Sequence, residues 1–234
     1  MGINREQIAR STREFARGSL RLARENVRTL GILAAVVVFV LLLEEVAEGD
    51  IMHLDVMAYR FLVERLRSDA MTPVMEGFTT LASVPVVGAM TMLIAALAPG
   101  RAPGWCVAVN LVGVVAVNQL LKNLVQRPRP DGFRLAAEAG YSFPSGHSMV
   151  SMAFFGLVIW MVWRYHRHDV MRWVWMVLFG LIIAMVGISR VYLGVHYASD
   201  VIAGFCVALL WLVFYTKVIA PIFMPDPGDP GICS

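Results

Sequence analysis

Charge is scarce in this chain of 234 residues: only 16% of positions are Asp, Glu, Lys or Arg, while 58% are hydrophobic and the mean hydropathy is +0.67. That balance excludes an ordinary soluble domain of this length, which needs more polar surface to cover its core. Cysteine is almost missing too. Cys106 and Cys206 lie inside apolar runs, where the thiol behaves as a small hydrophobe, and no spacing with Cys233 suggests a disulfide framework or a thiolate metal site. No Asn-x-Ser/Thr sequon occurs, and no internal repeat is evident. Apolar–polar alternation is absent as well; the runs are long and continuous, and in lipid that pattern means helices and not a closed barrel.

What is present is six apolar runs, at about 29–47, 73–98, 104–124, 147–164, 171–189 and 198–220. The expected fold is all-α: a six-span transmembrane helical bundle over 29–220, followed by a flexible tail, 221–234. "LAPGRAPG" marks a tight turn between the second and third runs, and "LDVMAYRFLVERLRSD" predicts a short surface helix in the first outer loop. Residues 1–28 form a separate basic unit. Arg10, Arg13, Arg17, Arg21, Arg24 and Arg28 recur at steps of three and four, an amphipathic helix suited to an anionic bilayer surface. No small-residue cleavage pattern follows "LLLEEVAEGD", so the first run is expected to stay as a span.

With the N-terminus cytoplasmic, twelve of the twenty Lys and Arg residues fall on the inner side and eight on the outer, as the positive-inside rule favours. The location expected is a cell (inner) membrane, with the site facing outward. Five of the eight outer cations, Lys122, Arg127, Arg129, Arg134 and Arg190, lie in or beside three polar stretches: "KNLVQRPRP", "YSFPSGHSMV" and "SRVYLGVHYASD". In this topology the three stretches meet on one side of the bundle.

Such a meeting point has a definite chemistry. Lys122, Arg129 and Arg190 would place three cations at a low-dielectric boundary, with Asp131, Glu138 and Asp200 the few carboxylates nearby. Unpaired cations are costly there, so an anion is implied, and the planar fork of arginine suits phosphate oxygens. Pro144 disfavours helix at Phe143, so a helix is expected to begin just after it, with Ser145 as its cap. Gly146 lets an anion approach the free N–H groups of that helix start, and His147 sits in its first turn. His196 and Asp200 are four residues apart, on one face if the sixth span has begun. A carboxylate there can accept a hydrogen bond from one ring nitrogen and leave the lone pair of the other free to attack.

These three blocks resemble the signature of the type 2 phosphatidic acid phosphatase family: K-x6-R-P in Lys122 to Arg129–Pro130, P-S-G-H in Pro144 to His147, and S-R-x5-H-x3-D in Ser189–Arg190, His196 and Asp200. The resemblance spans about residues 73–220 and departs from the signature nowhere. It implies a lipid phosphatase needing no metal or other cofactor. His196 would be the nucleophile, forming a phosphohistidine, with Asp200 orienting it. His147 would act as acid and then base. Lys122, Arg129, Ser145, Gly146 and Arg190 would hold the phosphate. Its partner would be a membrane lipid phosphate within an anionic bilayer, such as a polyprenyl (undecaprenyl) pyrophosphate, phosphatidylglycerol phosphate or phosphatidic acid. No nucleic acid is expected, and oligomeric state is not legible.

Other readings remain. A lipid phosphotransferase would share the phosphohistidine, and a non-catalytic lipid-phosphate binder would need the cations but not the histidines. His147, His196 and Asp200 also suit zinc by ligand type, although three cations around them oppose a divalent ion. Arg127 and Arg134 lie outside the signature and read as solvated or headgroup contacts, with Asp131 a partner for either. His53, His166 and His168 read as structural or solvated. Trp105, Trp160, Trp163, Trp173 and Trp175 mark span ends, and the 14 methionines read as packing.

Overall fold

A computed structural model describes residues 5–49, 51–98, 100–131, 134–136, 138–165 and 170–225, with side chains from residue 26 onward. The arginine stripe's side chains up to residue 24, His166, His168 and Cys233 lie outside the described residues. No β-strand occurs among the described residues. The helices, in order, are α1 (Arg5–Glu48), α2 (His53–Tyr59), α3 (Thr72–Thr80), α4 (Val84–Leu97), α5 (Ala102–Val125), α6 (Gly146–Tyr165), α7 (Met171–Tyr192), α8 (Ala198–Phe214) and α9 (Ala220–Phe223). π-helical turns over Arg60–Arg65 and Tyr215–Ile219 extend α2 and link α8 to α9.

Among the described residues, five helices are long and apolar enough to cross a membrane: Asn26–Glu48, Ala102–Val125, Gly146–Tyr165, Met171–Tyr192 and Ala198–Phe223. The sixth expected crossing, 73–98, is two helices and not one, since α3 and α4 are bent by 51° at their junction. Pro85 in the first turn of α4 explains the break: it has no N–H to return to Leu81, so the ladder cannot run through. α1 continues through residue 28 without interruption, so the basic arm and the span share one helix. The last helical turn reaches Phe223, three residues beyond the expected end of the bundle.

α6 is the central element, packed on α5, α7 and α8, while α1 lies along α8, α3 along α7, and α4 along α5. The core between them is apolar: Val107, Phe154, Leu157, Ile183 and Leu212 form one cluster, and Val114, Met149, Ala153, Val207 and Ala208 another. A buried polar thread runs through it. Asn110 Nδ2 donates to the Ala153 carbonyl at 2.8 Å and Trp211 Nε1 donates to Asn110 Oδ1 at 2.8 Å, so both ends of this buried amide are paired. The outward faces carry exposed Leu93, Leu97, Val112, Leu120 and Val177, as lipid contact requires.

α4 and α5 pack closely because Gly104 has no side chain. A Cβ there would stand 2.3 Å from the Ala95 Cβ and 2.8 Å from its Cα. Gly104→Val is therefore expected to push the two helices apart and cost about 1–3 kcal/mol. A lowered thermal midpoint in detergent would report it, while Gly77→Ala, where nothing lies within 4 Å, serves as the control.

Candidate active site

One end of the bundle gathers the C-terminal ends of α5 and α7 and the N-terminal ends of α6 and α8, joined there by residues 126–131 and 138–145. Each arrives there for a local reason. α5 stops at Gln126, which takes a left-handed conformation (φ 53°) and donates its N–H to the Lys122 carbonyl at 3.0 Å. Pro128 then keeps Arg127 out of helical geometry. α7 ends in a Schellman turn: Gly194, at φ 73°, donates to Val191 O at 2.9 Å, and Val195 N donates to Arg190 O at 3.2 Å. That turn folds the chain back, so that Val195 and His196 come beside Arg129. Arg129 Nη1 accordingly donates to Val195 O at 3.0 Å and lies 3.3 Å from His196 Nε2.

α6 begins at Gly146 as expected, with Ser145 at its cap: the Ser148 N–H meets Ser145 Oγ at 3.4 Å. The Ser145 N–H donates to the Asp200 carbonyl at 3.0 Å, which ties α6 to α8. Gly146 and His147 hold the first two N–H groups of the helix, which have no acceptor within it. Asn118 on α5 secures the approach by donating to Pro144 O at 3.1 Å.

His196 and Asp200 meet, though not as residues on one helical face. α8 starts at Ala198, two residues after His196. Asp200 instead curls back over the helix entry, where its Oδ2 accepts the Tyr197 N–H at 3.0 Å and lies 3.4 Å from His196 Nδ1. Ser142 Oγ donates to the same oxygen and sits 3.3 Å from His196 Nδ1. With Nδ1 engaged on this side, Nε2 faces Arg129. Burial pushes the His196 ring down to about 4, against the pull of Asp200, so the imidazole is neutral at neutral pH.

Lys122, Arg129 and Arg190 surround this pair. Lys122 Nζ donates to Tyr141 O at 2.5 Å, and Arg129 spans the loop to Gly140 O at 3.0 Å and Ala139 O at 3.1 Å. Arg190 is 2% exposed, and its Nη1 donates to Thr79 Oγ1 on α3 at 2.6 Å. Glu138 supplies part of the anion the sequence implied: it pairs with Arg190 and lies 3.8 Å from Arg129. Burial opposes its charge, yet the Arg190 guanidinium holds its carboxyl below the usual range. The Arg190 Nε remains buried with no hydrogen-bond acceptor among the described residues. His147, half-buried, lies within electrostatic range of Arg190, Glu138, His196 and Lys122. All eight positions singled out in the sequence thus gather at this end. Among the described residues, no group of three or more His, Cys, Asp or Glu side chains is placed to hold a metal ion.

Two expectations are corrected. Arg127 is not a solvated loop residue: it is 7% exposed and salt-bridged to Asp200 Oδ1 at 2.7 Å and Asp55 Oδ2 at 3.0 Å. Nor does α2 only lie at the surface, because its Asp55 is 3% exposed and also accepts from Ser199 N at 2.8 Å and Ser199 Oγ at 2.7 Å. Arg134 does stay at the rim, with Asp131 at 3.9 Å, and His53 is exposed. The spacing rules could not find Asp55, Ser142 or Thr79; the one hint was a carboxylate in an otherwise amphipathic first loop.

Known proteins resemble this chain in sequence and in shape. Phosphatidylglycerophosphatase B of Bacillus subtilis is 39% identical over 105 residues, covering 43% of this chain and 50% of that protein. Human dolichyldiphosphatase 1 is 36% identical over 121 residues, covering 46% and 50%. The chain thus spans about half the length of the curated relatives it matches. The crystal structure of a transmembrane PAP2 type phosphatidylglycerolphosphate phosphatase from Bacillus subtilis superposes with a TM-score of 0.66 at 26% identity, covering 78% of this chain and 94% of that one. Residues 103–223, which hold every block of the site, match the family model of the PAP2 superfamily, and the chain belongs to that superfamily.

Proposed function

We propose that this membrane protein is a lipid phosphatase that releases phosphate from a phosphomonoester or pyrophosphate on a membrane lipid, through a phosphohistidine on His196 and without a metal ion. The observation that carries the reading is the placement of one buried imidazole. Its Nδ1 side is engaged by Asp200 and Ser142, and its Nε2 faces the Arg129 guanidinium. A binding pocket for a lipid phosphate would need the cations but not a ring so oriented.

In this reading Lys122, Arg129, Arg190 and the first N–H groups of α6 hold the phosphate oxygens, with Ser145 capping that helix. Nε2 of His196 attacks phosphorus as the bond to the lipid oxygen breaks, and His147 gives that oxygen its proton. Water then attacks the phosphohistidine while His147 takes the water's proton, so phosphate leaves and both rings return to their starting state. Asp200 stabilises the positive charge that grows on His196 during the first step.

Relatives named for phosphatidylglycerophosphate and for dolichyl diphosphate leave both a glycerophospholipid and a polyprenyl pyrophosphate as candidate substrates. The site lies at span ends, at headgroup depth, so the lipid tail need not leave the bilayer. We place it on the outer face of a cell membrane, with the N-terminus inside. The test is phosphate release by the purified protein across polyprenyl, glycerophospholipid and sphingoid phosphates, in a strong chelator. Release from at least one class is expected. Transfer of labelled phosphate to a second lipid, with none in solution, would favour the phosphotransferase; activity that needs added metal would overturn the mechanism.

A further inference from the structure

Arg127 fills an unspecified position of the first signature block, yet it makes more charged contacts at the site than any of the three signature cations. Its Nη1 reaches Asp200 Oδ1 at 2.7 Å and Ser199 Oγ at 2.8 Å, its Nη2 reaches Asp55 Oδ2 at 3.0 Å, and its Cζ sits 4.0 Å above the Tyr197 ring. Asp55 and Asp200 side chains are both 0% exposed. Two buried carboxylates from segments 145 residues apart in sequence are thus bridged by one guanidinium. The backbone secures it as well, since Ser142 N donates to Arg127 O at 2.9 Å and Ser142 Oγ in turn bonds Asp200.

We propose that Arg127 is the positioning residue of this site: it fixes Asp200 through Oδ1, so that Oδ2 is presented to His196, and Asp55 on α2 holds Arg127 in place from its far side. The proposal rests on the reading of His196 as the phosphoryl acceptor.

The geometry divides the labour between the two Asp200 oxygens. Oδ2 serves Ser142, Tyr197 N and His196 Nδ1, whereas Oδ1 has Arg127 as its charged partner. A carboxylate is planar, so locking Oδ1 also sets the direction of Oδ2. Without Arg127 the buried Asp200 is short of its cation and free to turn, and the His196 ring loses what holds its Nδ1 proton. Arg127 itself has Nη1 engaged by Asp200 and Ser199 and Nη2 by Asp55, so in this proposal it takes no part in binding the phosphate. α2, the helix of the first loop between α1 and α3, is tied to the site through Asp55, and its Val56 and Tyr59 line a cavity with His196 and Tyr197.

The prediction is a kcat effect without a KM effect. Arg127→Gln is expected to lower kcat by about 10- to 100-fold, the range seen when an orienting partner of a reactive histidine or ligand is removed, with KM within about threefold. Asp55→Asn lowers kcat in the same direction by less. Arg127→Lys keeps the charge but not the fork, and retains more kcat than Arg127→Gln. The decisive measurement is a double-mutant cycle on single-turnover phosphate release. In an Asp200→Asn background, adding Arg127→Gln is expected to cost less than about twofold, because the residue acts through Asp200. An arginine that merely staples the loop would show its full loss in both backgrounds, and that result overturns the proposal. If Arg127→Gln does not purify as a monodisperse species, Arg127→Lys and Asp55→Asn carry the test: wild-type kcat in both, or a raised KM with kcat unchanged, also overturns it. His196→Ala separates the two levels. Phosphate release surviving in that variant removes the underlying reading, whereas its loss beside wild-type kcat in Arg127→Gln removes this proposal alone.

Discussion

His196→Ala is expected to abolish phosphate release, with a loss of about 10⁴-fold or more, because the covalent path disappears and not merely one of its stabilising contacts. The ring is 3% exposed and lies at the start of α8 against Asp200, so alanine opens a small polar cavity that water fills, and the helices around it keep their own cores. The loss should therefore appear in turnover and not in the thermal midpoint. Brief mixing with a phosphate-labelled lipid should leave acid-labile label on the wild-type protein and none on the variant. Near-normal release by a purified His196→Ala protein would overturn the assignment of nucleophile.

His147→Gln is expected to lose about 10²- to 10⁴-fold in kcat on a lipid whose leaving group is an alcohol, the usual worth of a general acid–base residue. Its position sets this apart from the first effect. His147 stands in the first turn of α6, within electrostatic range of His196 and Arg190, whereas the His196 ring is held by Arg129, Ser142 and Asp200. Nucleophilic attack therefore survives where the leaving group needs no proton. On an aryl phosphate with an acidic phenol, the variant should give a burst of about one phenol per protein and then stall, because the base that activates water is also gone. Label should accumulate on His147→Gln and be missing from His196→Ala. Equal losses on alcohol and acidic-phenol substrates, with no trapped label, would remove His147 from the acid–base role.

The opposite behaviours of these two variants follow from residues that sequence spacing already singled out, whereas their supporting partners could not be read that way. Lys122, Arg129, Ser145, Gly146, His147, Arg190, His196 and Asp200 are local in their logic: each block sits at the end of an apolar run, and the run lengths alone bring those ends to one depth. The helix start after Pro144 was legible for the same reason. The manner in which His196 meets Asp200 was not. A four-residue spacing suggests one helical face, but the Schellman turn at Gly194 delays α8, and Asp200 reaches back as the third residue of its first turn.

The longer-range pairings were invisible. Asp55, Glu138, Ser142 and Thr79 meet Arg127, Arg190 and Asp200 across separations of 52 to 111 residues. Nothing in a local window separates a carboxylate that will be buried from one that will be solvated, so Arg127 read as a rim residue. The break between α3 and α4 was masked for a different reason. Pro85 lies inside an apolar run, and hydropathy sums over composition without registering a missing N–H.

Hydropathy and the order of the polar blocks determined, from the sequence by itself, that this is a bundle of membrane-spanning helices with its three polar blocks at one end. Water exclusion acts on each run separately and needs no knowledge of the others. Which carboxylate neutralises which arginine, and which oxygen of Asp200 faces His196, only the tertiary structure decided. Those pairings form between distant segments after the helices have packed, where the low dielectric makes every unpaired charge costly and allows few arrangements.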